Sequence, residues 1–518
     1  MPKLFATKSL SVLHAESREE GERTLKRSLG PVNLITLGIG AIIGTGIFVL
    51  VGPAAANYAG PAVALSFIVA GITCTFAALC YSEFASLIPI CGSAYTYGYA
   101  TLGEFIAWII GWDLVLEYAF GASTVASGWS GYFVSLLDDL GIHLPPQIIA
   151  TPGTVLYHYG SHWVPFMSLP ENVSIHASTL PHATAFANLV AFAAIVVVTT
   201  VLVIGIEESA NLNSAIVFIK LGVVGVFIVV GAMFLAAHPQ LAHANWHPFI
   251  PPSKGGGHYG IGGIMAGAAS IFFAYIGFDA VSTAAQEANN PSRDMPIGII
   301  GSLIVCTILY IIVALVLTGL VNYKMLNVGS PIATGIDVTG HRWGTLLVKF
   351  GAVCGLGTTM LVMLLGQSRV FFSMARDGLL WKWAGEVHPK FRTPWLSNIA
   401  VGFVAACLPA LLPVGRLSEL TNMGTLLAFA IVCAGVWILR RRAPEMERPF
   451  RTPFVPVVPI LGIVTSLYLV YTLPRLTKEV VFVWLLIGLV VYFIYSVRHS
   501  KVQAMSRAED QAAGRAVK

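Results

Sequence analysis

The sequence predicts an all-α polytopic membrane protein, and three observations lead to that fold class. Hydrophobic residues make up 56% of the chain and charged residues only 11%, against roughly 25% charged residues in a soluble protein. The mean hydropathy is +0.77. Apolar stretches that can cross a bilayer, which takes about 20 residues each, recur along the chain. A soluble protein of this length would need far more polar surface, so that class is excluded.

The apolar stretches predict twelve transmembrane helices, which we number as spans in chain order. The predicted spans cover residues 33–56, 61–89, 103–136, 184–205, 211–236, 261–287, 297–321, 345–373, 396–414, 418–440, 455–474 and 479–497. Polar tails at 1–28 and 498–518 flank them. We see no cleavable signal peptide, because the first apolar run is long enough to span the membrane.

The basic residues outside the spans predict the orientation. Lys and Arg are concentrated in both tails and in the loops after spans 8 and 10, whereas the long connection 138–183 contains none. Cytoplasmic loops carry the excess of Lys and Arg. With twelve spans, all four basic segments fall on one side of the membrane. We therefore expect a multi-pass protein of the cytoplasmic membrane with both termini in the cytoplasm and loop 138–183 outside.

A glycine-rich segment interrupts span 1. Residues 38–48 read GIGAIIGTGIF, with glycine at four of the first nine positions. An unpaired backbone group costs several kcal/mol in lipid, so a helix opens at bilayer depth only where it lines a cavity or is buried in protein. We interpret the segment as a break that forms part of a solute site. The alternative is that the glycines only allow close helix packing.

Span 6 is interrupted at the corresponding position, where Gly277 and Asp279 break an apolar helix. Spans 1 and 6 are five spans apart and therefore run in opposite directions. Broken spans in two oppositely inserted halves are typical of secondary transporters built on inverted repeats. We predict a first repeat at 29–236, a second at 237–440 and two further spans within 441–497, with the solute site near the midplane between the breaks.

The ends of a broken helix suit the two charged groups of an α-amino acid. Free N–H groups at a helix N-terminus attract anions, and free carbonyls at a C-terminus attract cations. We expect a carboxylate to bind amides in span 1, with the Thr45 hydroxyl as an additional donor. The residues proposed for this role are Ile43, Gly44, Thr45 and Gly46.

The ammonium group of the substrate is expected at the break in span 6. Its acceptors would be the carbonyls around Phe273, Ala274 and Ile276, and Phe273 is also a candidate gate. Tyr275 belongs to the same wall, which is otherwise apolar. Small or medium neutral L-amino acids are therefore favoured over cationic ones.

Two ionisable residues inside the predicted spans are functional candidates, because charges in the membrane are rare and usually functional. Lys220 lies about ten residues, or 15 Å, from the cytoplasmic end of span 5. Burial disfavours the charged form of a lysine, so this position suits a proton-coupling site. Glu117 lies midway along span 3, one turn after Asp113. It could relay a proton, contact the substrate amine or brace neighbouring helices.

Six motifs occurring in order resemble the amino acid–polyamine–organocation (APC) superfamily, specifically the cationic amino acid transporter (CAT) family and its bacterial members. The motifs are GAIIGTGIF at 40–48, YSEFA at 81–85 with GSAYTY at 92–97, GWDLVLEY at 111–118, FD at 278–279 followed by NPSR at 290–293, QSRVF at 367–371 with RDGLL at 376–380, and MGTLL at 423–427 with RPFRTP at 448–453. The resemblance extends over about residues 28–497. Two departures are Gln286 beside Glu287, where the family often has two acidic residues, and Trp381 in place of a usual proline.

The resemblance implies a LeuT-like 5+5 inverted repeat with broken helices 1 and 6, plus two C-terminal helices. It also implies alternating access and recognition of the substrate backbone by the two breaks. A span-5 lysine similar to Lys220 takes the place of a sodium ion in proton-coupled bacterial members, which implies proton symport. Met363 in span 8 would face the pocket for the substrate side chain.

The predicted function is secondary active transport of L-amino acids by proton-coupled symport. The alternatives are an amino acid exchanger without net proton coupling, a cationic amino acid or polyamine transporter, and an amino acid sensor that resembles a transporter. We do not expect an enzyme, since no nucleophile–base set or metal cluster is apparent. The proton is the expected coupling ion, with no other cofactor. The expected partners are an L-amino acid and membrane lipid, not nucleic acid, and the sequence leaves open whether a small accessory membrane subunit exists.

Overall fold

The computed structural model describes most of the chain. The described residues are 4–8, 29–88, 93–159, 162–166, 169, 173, 179–205 and 210–505. Within them, eight helices are long and apolar enough to cross a membrane, and four apolar helices of 10–17 residues accompany them. The helical class predicted from composition is confirmed. Most of both predicted tails, namely 1–3, 9–28 and 506–518, lies outside the described residues.

A helix lies at the position of every predicted span, so the span numbers are kept for these helices. Span 1 comprises Pro31–Ile42 and helical residues 46–59, span 2 is Val63–Leu87, span 3 is Glu104–Asp139, span 4 is Leu189–Ile204, span 5 is Ala210–Ala237, span 6 comprises Gly260–Ile271, Phe272–Tyr275 and Asp279–Glu287, span 7 is Pro291–Leu320, span 8 is Arg342–Arg376, span 9 is Trp395–Leu411, span 10 is Val414–Arg442, span 11 is Val457–Thr472, and span 12 is Arg475–Val491 with a helical continuation to 499. Short helices Ser93–Thr101, Pro239–Trp246 and Pro331–Asp337 lie in the connections.

Local sequence explains several of the helix ends. Pro31 and Pro291 stand at the starts of spans 1 and 7, where a proline has no N–H to leave unpaired. The Asn188 side chain accepts a hydrogen bond from the Ala191 N–H at 3.0 Å and so caps span 4. Gly205 ends the same span with a φ of +83°, a conformation that glycine adopts without strain.

Several pairs of helices that are five spans apart pack against each other. Span 2 packs against span 7, span 3 against span 8 and span 4 against span 9. Spans 1 and 6 meet at their breaks, and span 7 also covers the first half of span 1. Small side chains make some of these approaches possible: a Cβ on Gly298 in span 7 would stand 2.7 Å from the Leu34 side chain of span 1. The breaks therefore lie in a core formed by several spans.

The long connection after span 3 contains a small β-sheet that the all-α prediction did not include. Three strands, β1 at Val155–Tyr159, β2 at His162–Pro165 and β3 at His182–Thr184, are antiparallel in the order β2-β1-β3. Tyr157 of β1 lies opposite Val164 of β2 and His182 of β3. The aromatic and β-branched residues here favour strands, but polar and glycine residues interrupt their alternation.

A buried ion-pair network joins spans 2 and 10 at the end rich in basic residues. Arg440 donates from Nε and Nη2 to the two carboxylate oxygens of Glu83, each at 2.9 Å. Arg448 Nε lies 3.2 Å from the same carboxylate, and the Thr452 N–H donates to it at 2.8 Å. A buried carboxylate needs such charged and hydrogen-bonding partners. The arginines at the end of span 10 and in the RPFRTP motif therefore neutralise the buried glutamate at the end of span 2.

The N-terminal segment 4–8 packs against the same end of the molecule. The carbonyls of Ala6 and Leu4 each accept a 3.0 Å hydrogen bond, from the N–H groups of Glu104 and Phe105 respectively. They thereby satisfy donors in the first turn of span 3 that have no acceptor within the helix. Lys8 Nζ forms an ion pair of 3.0 Å with Asp377, just after span 8.

Candidate functional site

The first half of span 1 ends within the glycine-rich segment. Ile43 leaves the helical conformation with φ −73° and ψ 97°, and its N–H donates to the Ile39 carbonyl at 2.9 Å. A second helical segment begins at Gly46. The first N–H groups of a helix have no acceptor within it, so Gly44, Thr45 and Gly46 present amides at this opening, whereas the Ile43 amide is already used. Among the described residues, the buried Thr45 hydroxyl has no hydrogen-bond partner.

Span 6 opens in two steps. The α-helix ends at Ile271 and a 3₁₀ turn, Phe272–Tyr275, follows. Ile276 is extended, with φ −61° and ψ 132°. Gly277 then takes a φ of +120°, which only glycine adopts readily. A 3₁₀ segment from Asp279 to Glu287 completes the span. The sequence therefore predicted both breaks at the right residues.

The two breaks touch each other through glycine. A Cβ on Gly46 would overlap the backbone of Ala274, and a Cβ on Gly277 would stand 2.8 Å from the carbonyl carbon of Ala41. Both substitutions would force the two spans apart. The two interpretations of the glycines are thus compatible, because glycine here accompanies the opening of each helix and also allows the openings to meet.

Lys220 satisfies the carbonyls at the end of the first half of span 1. Its side chain is buried, and its Nζ donates to the carbonyl of Gly40 at 2.8 Å and to that of Ile43 at 3.3 Å. The third donor of the ammonium goes to the Thr359 hydroxyl in span 8 at 3.0 Å. An ammonium has three N–H donors, so all are engaged.

Two further polar side chains satisfy carbonyls at the breaks. The Tyr310 hydroxyl of span 7 lies 2.8 Å from the Ile42 carbonyl and 2.8 Å from the Ala274 carbonyl. Asn422 of span 10 donates to the carbonyl of Ala269, in the last turn of the span-6 helix, at 2.8 Å. Two carbonyls expected to accept the ammonium are therefore already engaged. Ala274 is bound by Tyr310, and the Phe273 carbonyl accepts from the Ile276 N–H at 3.2 Å. A carbonyl has two lone pairs and retains capacity for another donor.

An acidic cluster follows the break in span 6. Tyr118 donates from its hydroxyl to Asp279 at 3.1 Å, and the Gly277 N–H donates to the other oxygen of this carboxylate at 3.3 Å. The Glu117 carboxyl faces Asp279, with Asp113 nearby on the same helix. All three acids are buried. Glu117 thus lies near Asp279 at the second break, but among the described residues neither of its carboxylate oxygens has a hydrogen-bond partner. The sequence analysis treated Asp279 only as a helix-breaking residue.

Met363 lies on the face of span 8 that meets span 3. Its Sδ would stand 3.6 Å from a Cβ on Gly121, and a Cβ on Gly128 would stand 3.1 Å from the Thr45 side chain. Two turns of span 3, about 10 Å, separate these two glycines. Met363 and Thr45 therefore border the same face of span 3. Phe273 and Tyr275 are buried, and Tyr275 donates to the Phe67 carbonyl in span 2 at 2.7 Å.

Comparison with known proteins places this helical bundle with its two broken spans in a family. The family model described as "Amino acid permease" matches residues 29–500. The chain belongs to the amino acid permease family. It is thus an integral membrane protein of the APC superfamily, and the resemblance seen in the six motifs is confirmed.

Curated relatives of this permease are named transporters and permeases, in agreement with the expectation of a non-enzyme. It is 45% identical to the branched-chain amino acid permease BcaP of Bacillus subtilis over 96% of this chain and 99% of that protein. It is 42% identical to the methylthioribose transporter of the same bacterium, with the same coverage. It is 36% identical to the vacuolar cationic amino acid transporter 4 of Arabidopsis thaliana, over 86% of this chain and 68% of that protein.

Sequence reasoning missed three side chains of the permease site. Thr359, Tyr310 and Asn422 each contact backbone at a break, and none is charged. Polar residues within apolar spans give a weaker signal than Lys220, because hydroxyl and amide groups also serve ordinary helix packing. Which of them reach the breaks depends on how spans 7, 8 and 10 are rotated about their axes.

Proposed function

We propose that this permease is a secondary active transporter that carries L-amino acids across the cytoplasmic membrane together with protons, by alternating access. The observation that carries the proposal is the contact between the two breaks. It brings the amide end at Gly44–Gly46 beside the carbonyl end at Ala274, within buried protein. One α-amino acid carries both an anionic and a cationic group, and the ends of broken helices bind such groups in transporters.

The packing of the helices supports a LeuT-like arrangement of twelve spans. If two five-span halves, 29–236 and 237–440, are related by an inverted repeat, corresponding spans can meet across the symmetry axis. Contacts between spans 2 and 7, 3 and 8, and 4 and 9 agree with this arrangement. Of the two remaining spans in 441–497, span 11 packs against span 10, and span 12 packs against spans 10 and 3. One group of spans would move against the other to expose the breaks alternately to either side of the membrane.

We propose neutral amino acids with branched apolar side chains as the preferred substrates. Two relatives, at 45% and 32% identity, are named branched-chain amino acid permeases. The surroundings of the breaks are apolar, with buried Phe48, Phe273 and Met363. A cationic side chain would need a carboxylate as counter-charge, and Glu117 instead faces Asp279. Cationic amino acids are therefore the less favoured alternative, although several relatives are named for them.

A thiosugar is a second candidate, because one relative at 42% identity is named a methylthioribose transporter. Methylthioribose has neither a carboxylate nor an ammonium group. It would leave the helix-end charges of both breaks without ionic partners. The geometry of the breaks therefore favours the amino acid.

We propose that Lys220 couples the proton to the substrate. When charged, it holds the carbonyls of Gly40 and Ile43 while Gly44 and Thr45 offer their amides beyond them. A neutral amine has one N–H fewer and a weaker attraction to carbonyl dipoles. Loss of the proton would therefore loosen the end of the first half of span 1. This links the protonation of Lys220 to the shape of the carboxylate site.

Glu117 is proposed as a proton relay in preference to a contact with the substrate amine. The Glu117 and Asp279 carboxyls face each other, and neither has a Lys or Arg partner among the described residues. Two like charges close together are unfavourable in a buried site, so a proton on one of the two carboxyls stabilises such a pair. The Glu117–Asp279 pair can accept and release a proton on the C-terminal side of the break in span 6.

The test of this function is uptake of labelled solutes into proteoliposomes that contain only the purified permease. The panel consists of leucine, isoleucine, valine, alanine, arginine, lysine and methylthioribose. Each solute is offered with an inward proton gradient, an inward sodium gradient or no gradient, and with an empty or a preloaded lumen. We expect branched-chain amino acids to accumulate in empty vesicles under the proton gradient and not under the sodium gradient.

Other results would identify the alternatives. Uptake that requires a preloaded lumen and ignores the proton gradient would mean exchange. A preference for arginine and lysine would mean a cationic amino acid transporter, and accumulation of methylthioribose alone would refute the amino acid proposal. Saturable binding of amino acid without flux under every condition would indicate a sensor.

A further inference from the structure

One hydroxyl group touches both broken spans. Tyr310 is fully buried in span 7, and its hydroxyl oxygen lies 2.8 Å from the carbonyl oxygen of Ile42 and 2.8 Å from that of Ala274. Ile42 is the last residue of the first half of span 1, and Ala274 lies in the 3₁₀ turn where span 6 opens. Carbonyls at the end of a helix receive no hydrogen bond from an N–H of that helix, so they need a donor from elsewhere.

The hydroxyl cannot satisfy both carbonyls fully. A tyrosine hydroxyl has a single proton, and its two acceptors are equally distant. The Tyr310 ring is held in place by Phe67 and Tyr275, with ring centroids at 5.3 Å and 5.5 Å. The proton is therefore divided between the two breaks, and one of the two buried carbonyls lacks part of its hydrogen bond.

We propose that Tyr310 is a positioning residue that joins the two breaks in the empty transporter and yields the Ala274 carbonyl to the substrate. This inference rests on the proposed function, in which the substrate ammonium binds at that carbonyl. When the ammonium arrives, it donates to Ala274, and the Tyr310 proton goes wholly to Ile42. The hydroxyl thus matters most when the site is empty, since no other described side chain donates to both Ile42 and Ala274.

Removal of this hydroxyl has a specific kinetic consequence. Tyr310→Phe removes one hydrogen bond from the empty site and one from the loaded site. In the loaded site the substrate still joins the two breaks, whereas in the empty site the link through Tyr310 is lost. A hydrogen bond has a net value that corresponds to about a three- to ten-fold change in an equilibrium. Because both sites lose one hydrogen bond, we expect the half-saturation concentration for exchange to change by less than that factor. The return of the empty transporter should become slower, because its two breaks are no longer joined.

The experiment compares net uptake with exchange in the same proteoliposomes. Net uptake requires the empty transporter to return across the membrane, whereas exchange of labelled for unlabelled substrate does not. For Tyr310→Phe we expect net uptake to slow by about three- to ten-fold relative to exchange, because only net uptake requires the empty transporter to return. A loss shared equally by net uptake and exchange would refute the proposal.

Tyr132→Phe is the matched control. The Tyr132 hydroxyl is also buried and donates to the carbonyl of Phe48 at 2.7 Å, which lies beside one break only. The Tyr132→Phe replacement removes a hydrogen bond of similar length without separating the two broken spans. We expect Tyr132→Phe to leave the ratio of net uptake to exchange as in the unaltered protein. An equal change of this ratio in both variants would show that any lost buried hydroxyl has the same effect.

A measurement without substrate separates this inference from the proposed function. Hydrogen–deuterium exchange of the substrate-free protein should be faster in peptides covering 41–48 and 271–279 when Tyr310 is replaced by Phe. For Tyr132→Phe, faster exchange should be confined to span 1. Unchanged exchange in both peptides would refute the role of Tyr310, whatever the substrate is. If the Phe variant cannot be purified, Tyr310→Met removes the same hydroxyl with a more flexible side chain.

Discussion

Lys220 is the residue at which sequence and structure agree most directly. A lone lysine in an apolar span predicts a functional group, and the structure gives it three acceptors in two other spans. What the sequence could not indicate was the identity of these acceptors. Two are backbone carbonyls that become available only because span 1 opens, and the third is a threonine 139 positions away in the chain.

Replacement of Lys220 tests proton coupling at the residue scale. We expect Lys220→Met to abolish accumulation driven by a proton gradient, because methionine cannot take up or release a proton and cannot donate to the carbonyls of span 1. Exchange of labelled for unlabelled substrate should persist, since it needs no net proton movement. The measurement is uptake by proteoliposomes with and without the gradient, and intact gradient-driven uptake would refute the coupling role.

Lys349 provides the matched control for this replacement. It is another buried lysine of the spans, and it pairs with Asp139 at 2.6 Å at the far end of span 3. Lys349→Met should lower the amount of folded protein while the remaining protein still responds to the proton gradient. An equal loss of gradient response in both variants would mean that removal of any buried lysine is sufficient.

At the scale of elements, the crossing of the two broken spans is the feature on which the site depends. Gly46→Ala should abolish both uptake and exchange, because its Cβ would overlap the Ala274 backbone and displace the amides from the carbonyls. Gly225→Ala in span 5 is the control, since no atom lies within 4 Å of its added Cβ. It should keep full activity. Activity of Gly46→Ala equal to that of the control would show that close contact of the breaks is not required.

The same crossing shows why a sequence motif predicted the position of the breaks but not their environment. Glycine frequency and the buried Asp279 were sufficient to place both openings within one or two residues. The side chains that donate to carbonyls at the breaks come from spans 5, 7, 8 and 10, and span 3 contributes Tyr118, which donates to Asp279. The β-sheet after span 3 was missed for a related reason, because its strands have only three to five residues.

At the scale of the whole molecule, a different structure lies at each end of span 3. Glu104 at its start accepts hydrogen bonds from the hydroxyls of Tyr99 and Tyr492 at 3.0 Å and 3.1 Å, and also from Ser500 in the C-terminal segment. The helix then runs for 36 residues, about 54 Å at 1.5 Å per residue, to the connection that contains the sheet. The C-terminal segment and the sheet therefore lie at opposite ends of this helix.

Reporter fusions test the predicted orientation. A fluorescent protein fused after residue 518 should fluoresce, because it folds in the cytoplasm. Alkaline phosphatase inserted after Gly153 should be active, because it needs the oxidising exterior. The reciprocal fusions, with the reporters exchanged, serve as controls and should be inactive. Activity of the reciprocal pair instead would place both termini outside and reverse the assignment based on Lys and Arg.

The sequence by itself determined the membrane class, the position of the helices, the two breaks and Lys220. These follow from hydropathy, glycine content and the cost of an intramembrane charge, all of which act within one segment. The tertiary structure decided which groups meet at the breaks. Tyr310, Thr359, Asn422 and the pairing of Glu117 with Asp279 depend on the rotation and packing of separate helices. That packing is set by contacts between residues far apart in the chain, and the periodicity of a single apolar span does not encode it.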